Sequence, residues 1–315
     1  MAREGRGTAL AELTFAQIID GLPTKASSYH AELCPGVVKK TRQIRDAFDP
    51  MSFTFKTELL SAFQRMSPNM QKFELRLLEM LADACHQIAS YLYSLDNGVH
   101  KHSLYYTWRD FAEPASPDPR LLVYRAPTPF YHLSYQDFNQ YPNGISDVVG
   151  YWAEAKIIGG VMVFDRGESG TECRDVFLHS CYVNGPATIH PPTPRQYDAL
   201  ISFLVTPANP DISCPLPIHA TSENRWRWDP FDAITKYHIF RDRYERKPPR
   251  SSIKDGCVHR ASNWPETGDE MIYTLKQYRA AQGEESFDQA ERERLEENMN
   301  KITPSSPLWR GKWEW

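Results

Sequence analysis

The stretch from Asn224 to Arg250, NRWRWDPFDAITKYHIFRDRYERKPPR, interleaves cationic and aromatic side chains: Arg225, Trp226, Arg227 and Trp228, then Arg241 and Arg243. Between Thr221 and Arg250 eight Lys or Arg face five Asp or Glu, in a chain whose formal net charge is −4. Guanidinium groups beside indole faces suit phosphates and unstacked bases. Asp242 and Glu245 lie inside the same run, and two carboxylates there suit a cationic substrate or proton transfer. If residues 231–246 form a helix, these two stand three apart on one face. The plainer alternative is a helix whose aromatics enter the core while its cations reach out to solvent.

A second group lies between Gly150 and Cys181. Asp165 ends one strand-like run, His179 falls within the next, and Glu154 sits on one face of the run before them. A carboxylate and an imidazole facing each other across a hairpin serve acid–base chemistry. The bland counterpart is a turn-capping Asp with a surface ion pair. Ser180, Cys181 and Tyr182 stay open as nucleophiles. His179, His190 and Asp165 converge only if their strands are neighbours, and ten histidines produce such coincidences by chance, so no metal is expected. The six cysteines are dispersed without a CxxC pair, which points to reduced thiols. No phosphate-binding loop, dinucleotide fingerprint, GxSxG elbow or HExxH occurs, so no cofactor is expected either.

The elements that must position these groups are read from periodicity and punctuation. Residues 1–30 read as a loose arm with one helix, Leu10 to Leu22. Helices follow over Val37–Phe48, Phe53–Met66 and Asn69–Leu95, the last with an apolar face at Phe73, Leu77, Met80, Leu81, Ala84, Ile88 and Leu92. SLYYTW and RLLVYR, within 103–125, read as short strands. AKIIGGVMVFDRG and RDVFLHSC form the clearest β signal, with ATIH as a third strand, and Pro194 opens a helix to Val205. Asp269 to Ile302 reads as one acidic helix.

Together these give a single α+β domain over 31–302, with residues 303–315 as a Trp-rich tail. Its expected architecture is an N-terminal helical layer, a central mostly antiparallel sheet and C-terminal helices. A hairpin joining 157–165 to 174–181 supports that sheet, and a helix between them would support a parallel one. A pI near 6.2 argues against non-specific nucleic-acid binding. No apolar run reaches membrane-span length, so no membrane partner and a cytoplasmic location are expected.

Two blocks, GYWAEAKIIGGVMVFDRGESGTECRDVFLHSC (Gly150–Cys181) and ENRWRWDP…HIFRDRYERK (Glu223–Lys247), resemble a set of filamentous-fungal proteins that includes the arginine-containing cyclodipeptide synthases. The resemblance implies an aminoacyltransferase of secondary metabolism that needs no cofactor. Its partners would be arginyl-tRNA and a second aminoacyl-tRNA, and its product a diketopiperazine. That family's acidic motif, DDxxE, is matched at Asp242 and Glu245, with Arg241 at its first position. Arg225, Trp226, Arg227, Trp228, Arg241 and Arg243 would then meet tRNA. Two other classes stand beside it. One is a cofactor-independent cyclase or isomerase using Asp165, His179 and Glu154. The other is an interaction protein presenting the Trp-rich tail and the acidic helix.

Overall fold

The computed structural model of the chain describes residues 6–24, 30–67, 70–95, 126–181, 185–206, 213–243 and 260–309. They fall into two compact units, one built mainly from residues up to Met162 and the other from Val163–Asp198, Ile218–Arg243 and the described residues from 260 onward. Nine helices among the described residues accompany a small antiparallel sheet, so the α+β class holds.

The first unit is helical. It contains α1 (Arg6–Asp20), α2 (Val37–Ala47), α3 (Thr57–Gln64), α4 (Gln71–Ser94) and α5 (Ile145–Ile157). Its core joins Ile18, Ala89, Leu92, Tyr93, Phe130, Val149, Trp152 and Ala153. Helix α1 therefore contributes to that core, where the sequence suggests an arm. On α4 the buried stripe runs through Leu75, Leu78, Ala82, Cys85, Ala89 and Leu92, turned from the expected face. Small residues explain the rotation, because Ala82, Cys85 and Ala89 weigh little in a hydropathy pattern yet let α5 approach closely. Gly150 on α5 serves the same approach: a Cβ there would lie 2.5 Å from His86 Cε1. His86 Nε2 stands 3.1 Å from Asp147 Oδ1, tying the two helices together.

Helix α5 corrects the β reading of residues 150–157. It is buried from Asp147 through Glu154 and again at Ile157. A helix covered on nearly all sides shows no amphipathic period and resembles a buried strand in sequence. Gly159, at φ +106°, belongs to the turn between α5 and β1 and marks no bulge within a strand.

The second unit carries the sheet, in the order β3 (Ile189–His190), β2 (Val176–His179), β1 (Val161–Asp165), β4 (Ile239–Phe240). Asp165 N–H donates to Asp175 O and Arg174 N–H to Asp165 O, closing the expected β1–β2 hairpin with no helix between its strands. Helix α6 (Pro194–Val205) starts at Pro194 as its sequence requires. Helix α7 (Pro230–Thr235) is capped by Asp229, whose Oδ1 accepts from Phe231 N–H at 2.8 Å. It stops at Thr235, because Ile239 and Phe240 pair with Asp165 and Phe164. Of the helix anticipated over 231–246, only residues 231–235 are helical as far as Arg243, and beyond them sheet pairing has overridden local propensity.

The acidic C-terminal segment is two helices, α8 (Pro265–Ala281) and α9 (Gln289–Asn300). Gly283 takes the left-handed conformation (φ +72°) just beyond α8, and Asp288 Oδ2 caps Glu291 N–H to start α9. The strands expected within 103–125, Tyr182, Glu245 and the tail beyond Trp309 lie outside the described residues. Among the described residues no helix is long and apolar enough to cross a membrane.

Candidate functional site: a Ser–His pair on the sheet

Strands β2 and β3 pair antiparallel, with Leu178 opposite His190 and His179 opposite Ile189. Side chains alternate between faces along a strand, so Ser180, two residues past Leu178, lies diagonally across from His190 on the same face. The Ser180 hydroxyl indeed meets His190 Nε2 at 3.2 Å. The opposite nitrogen, Nδ1, stands 3.3 Å from Pro191 O. A carbonyl only accepts, so Nδ1 carries the hydrogen and Nε2 offers its lone pair to the Ser180 hydroxyl.

That carbonyl is itself fixed. Asn224 Nδ2 donates to Pro191 O at 2.9 Å and to Gln196 Oε1 at 2.8 Å. Asn224 Oδ1 in turn accepts from Thr221 N–H. Gln196 and Thr193 close a reciprocal cap at the start of α6. A nucleophile, a base and an orienting acceptor therefore stand in line. Ser180 is 4% exposed and His190 fully buried. Gly185 passes so near that a Cβ on it would lie 2.7 Å from Ser180 Cβ, so glycine is required there.

The electrostatics follow from burial. Desolvation, followed by the nearby Arg227 charge, depresses His190 to about 4, so the ring is neutral at physiological pH. Desolvation also lowers Arg227, to about 10, with Glu266 opposing the shift and Arg225 reinforcing it. Glu266 is pushed above the usual carboxylate range by burial, although the Ser306 hydroxyl donates to it at 2.5 Å.

The residues singled out from sequence fare differently. Arg227 does not face solvent; its guanidinium donates to the carbonyls of Asn224, Thr221, Ser262 and Asn263. Arg225 is buried against Asp269, with Nη1 2.6 Å from Oδ2. Arg241 is buried too, and its carbonyl accepts from Arg166 Nη2 at 2.8 Å. Trp226 is 51% exposed at φ +54°, a conformation a bulky residue enters only under tertiary constraint. Trp228 is half-buried against Tyr237, and Arg243 is exposed. Arg225, Arg227 and Arg241 are therefore internal scaffolding, and of these six side chains Trp226 and Arg243 are the exposed ones.

The acid–base trio is not assembled as the hairpin reading requires. Asp165 Oδ1 accepts from Gly167 N–H at 2.8 Å and caps the β1–β2 turn. His179 lies four residues along β2 from Asp175, the partner of Asp165, so the two are about 13 Å apart along the strand. His179 also points to the face opposite His190. Glu154 lies on a helix rather than a strand, and its buried Oε1 accepts from Met162 N–H at 2.6 Å. Asp242 is half-buried in the bend after β4.

Sequence reading names Ser180 and His190 separately without joining them. Their pairing rests on β2–β3 register, which strand patterns alone do not supply. Compared with protein-family models, curated proteins and solved structures, the chain matches none.

Proposed function

We propose that this chain is an acyl-transfer enzyme whose nucleophile is Ser180 and whose base is His190. Its specific form is aminoacyl-tRNA-dependent cyclodipeptide synthesis with an arginyl group. The observation that carries the reading is the Ser180 Oγ–His190 Nε2 hydrogen bond, with His190 Nδ1 committed to Pro191 O. Both resembling blocks contribute to it: Ser180 comes from the first, Asn224 and Arg227 from the second.

The chemistry is consistent with an activated ester. His190 accepts the Ser180 proton as Oγ attacks the ester carbonyl, and the same proton passes to the departing 3′-oxygen of the tRNA. The amine of a second aminoacyl-tRNA then attacks the acyl-serine, its proton returning through His190 to Ser180 Oγ as that ester bond breaks. The free amine of the arginyl residue next attacks the remaining tRNA ester, forming the second amide as the C–O bond breaks and the second tRNA leaves with the proton. A base held at about 4 is a weak one at neutral pH, which calls for an acyl group that is already activated. Esters demand less activation of the nucleophile than amides do, and no nucleotide site is required. Asp242 is the described carboxylate of the resembling acidic motif and is assigned to the guanidinium of the arginyl group. It follows β4, two strand spacings from β2, about 10 Å across the sheet.

Expression of the full chain in a microbial host, with mass spectrometry of its small molecules, tests the proposal. Arginine-containing cyclic dipeptides should appear with the native chain and disappear with Ser180→Ala, while circular dichroism of the variant stays unchanged. Undiminished product from Ser180→Ala, or none from the native chain, would leave the Ser–His pair as a fastener of β2 to β3.

A further inference from the structure

A different group of side chains lies in the connection from α1 to α2, independent of the Ser180 site. Asp20 is the last residue of α1, and His30 and Cys34 precede α2. One ligand atom from each, a carboxylate oxygen, an imidazole nitrogen and Sγ, lies within 4.8 Å of the other two. His30 is 3% exposed and Asp20 9%, with Cys34 half-buried. We propose that Asp20, His30 and Cys34 bind a divalent transition metal of the zinc class, which staples α1 to α2.

Three observations carry this. The donor set, one oxygen, one nitrogen and one sulfur, matches the borderline character of zinc and disfavours calcium or magnesium. The imidazole is oriented as a ligand is: Nδ1 stands 3.3 Å from Pro23 O, and Nε2 is aimed at Asp20 Oδ2, 3.0 Å away. A backbone carbonyl on the distal nitrogen is the usual support for a metal-bound histidine. The spacing also fits. Bonds of about 2.0–2.1 Å to nitrogen and oxygen at a tetrahedral angle put those atoms roughly 3.3 Å apart, so a small widening admits the ion. Asp20 Oδ2 already accepts from Cys34 N–H at 3.0 Å, which holds the cysteine in place.

The charges balance as well. On binding, the Sγ–H bond breaks, a metal–sulfur bond forms and the proton leaves to solvent. A dication with one thiolate, one carboxylate and a neutral imidazole then carries no net charge in a half-buried site. Water completes the coordination.

The test uses the full chain, stripped with a chelator and titrated with Co²⁺ and Zn²⁺. Binding should saturate at one ion per chain. Co²⁺ should bring a near-ultraviolet thiolate-to-metal charge-transfer band, and Zn²⁺ should raise Tm. Cys34→Ser should abolish the band, and His30→Gln or Asp20→Asn should weaken binding at least tenfold. Should Cys34→Ser fail to fold by circular dichroism, the other two variants decide the question by the same criterion. No saturable binding, or a band of full strength in Cys34→Ser carried by the other cysteines, overturns the proposal.

Discussion

Titration of His190 is the sharpest consequence of the site. An unfolded histidine titrates near 6.5, and in the folded chain burial and the Arg227 charge hold His190 at about 4. The folded state therefore refuses a proton that the unfolded state accepts. Stability from this group is complete above about pH 6.5 and is lost as pH falls toward 4, with no further loss below. A gap of about 2.5 units at 1.36 kcal/mol each amounts to roughly 3 kcal/mol. Glu266 and Asp175, both raised by burial, act with the opposite sign, since the folded state protonates them first. The comparison must therefore be between the native chain and His190→Asn, which share those carboxylates. Urea unfolding from about pH 7 to pH 4 should show the stability advantage of the native chain shrinking by about 3 kcal/mol. A difference that stays constant across that range would refute the buried, neutral histidine and with it the tautomer assignment.

Gly150→Ala should destabilise the first unit by about 1–3 kcal/mol, because the added methyl meets the His86 ring at 2.5 Å; thermal unfolding measures it. Arg225→Met should cost about 3–5 kcal/mol by stranding Asp269, whereas Arg225→Met with Asp269→Leu should fall close to the native chain in chemical denaturation. Glu154→Ala should lower stability by at least about 1–3 kcal/mol, by leaving the buried Met162 N–H without its carboxylate acceptor, and hydrogen exchange at that amide should accelerate.

What could be read from the chain follows from which signals are local. The β1–β2 hairpin is visible in alternation and in the Asp165-Arg166-Gly167 turn, and α2 and α6 are visible in their punctuation by Pro50 and Pro194. Helix α5 is hidden because burial on nearly every side erases its period. The break between α8 and α9 was written in Gly283 and Asp288, although the acidic run across it looks continuous. Arg225 and Arg227 mislead for a different reason: their acceptors include Asp269 and the carbonyls of 262 and 263, far along the sequence. The site itself depended on register. His179 and His190 look equivalent in sequence, and only the pairing of Leu178 with His190 decides which imidazole reaches Ser180.

The central claim is that Ser180 carries an acyl group during turnover. Purified full-length chain, incubated with radiolabelled arginyl-tRNA and quenched in acid, should retain label on the peptide containing Ser180. Ser180→Ala should retain none, and His190→Asn should label far more slowly. Label at another residue, or product formed by Ser180→Ala at the native rate, would contradict the account.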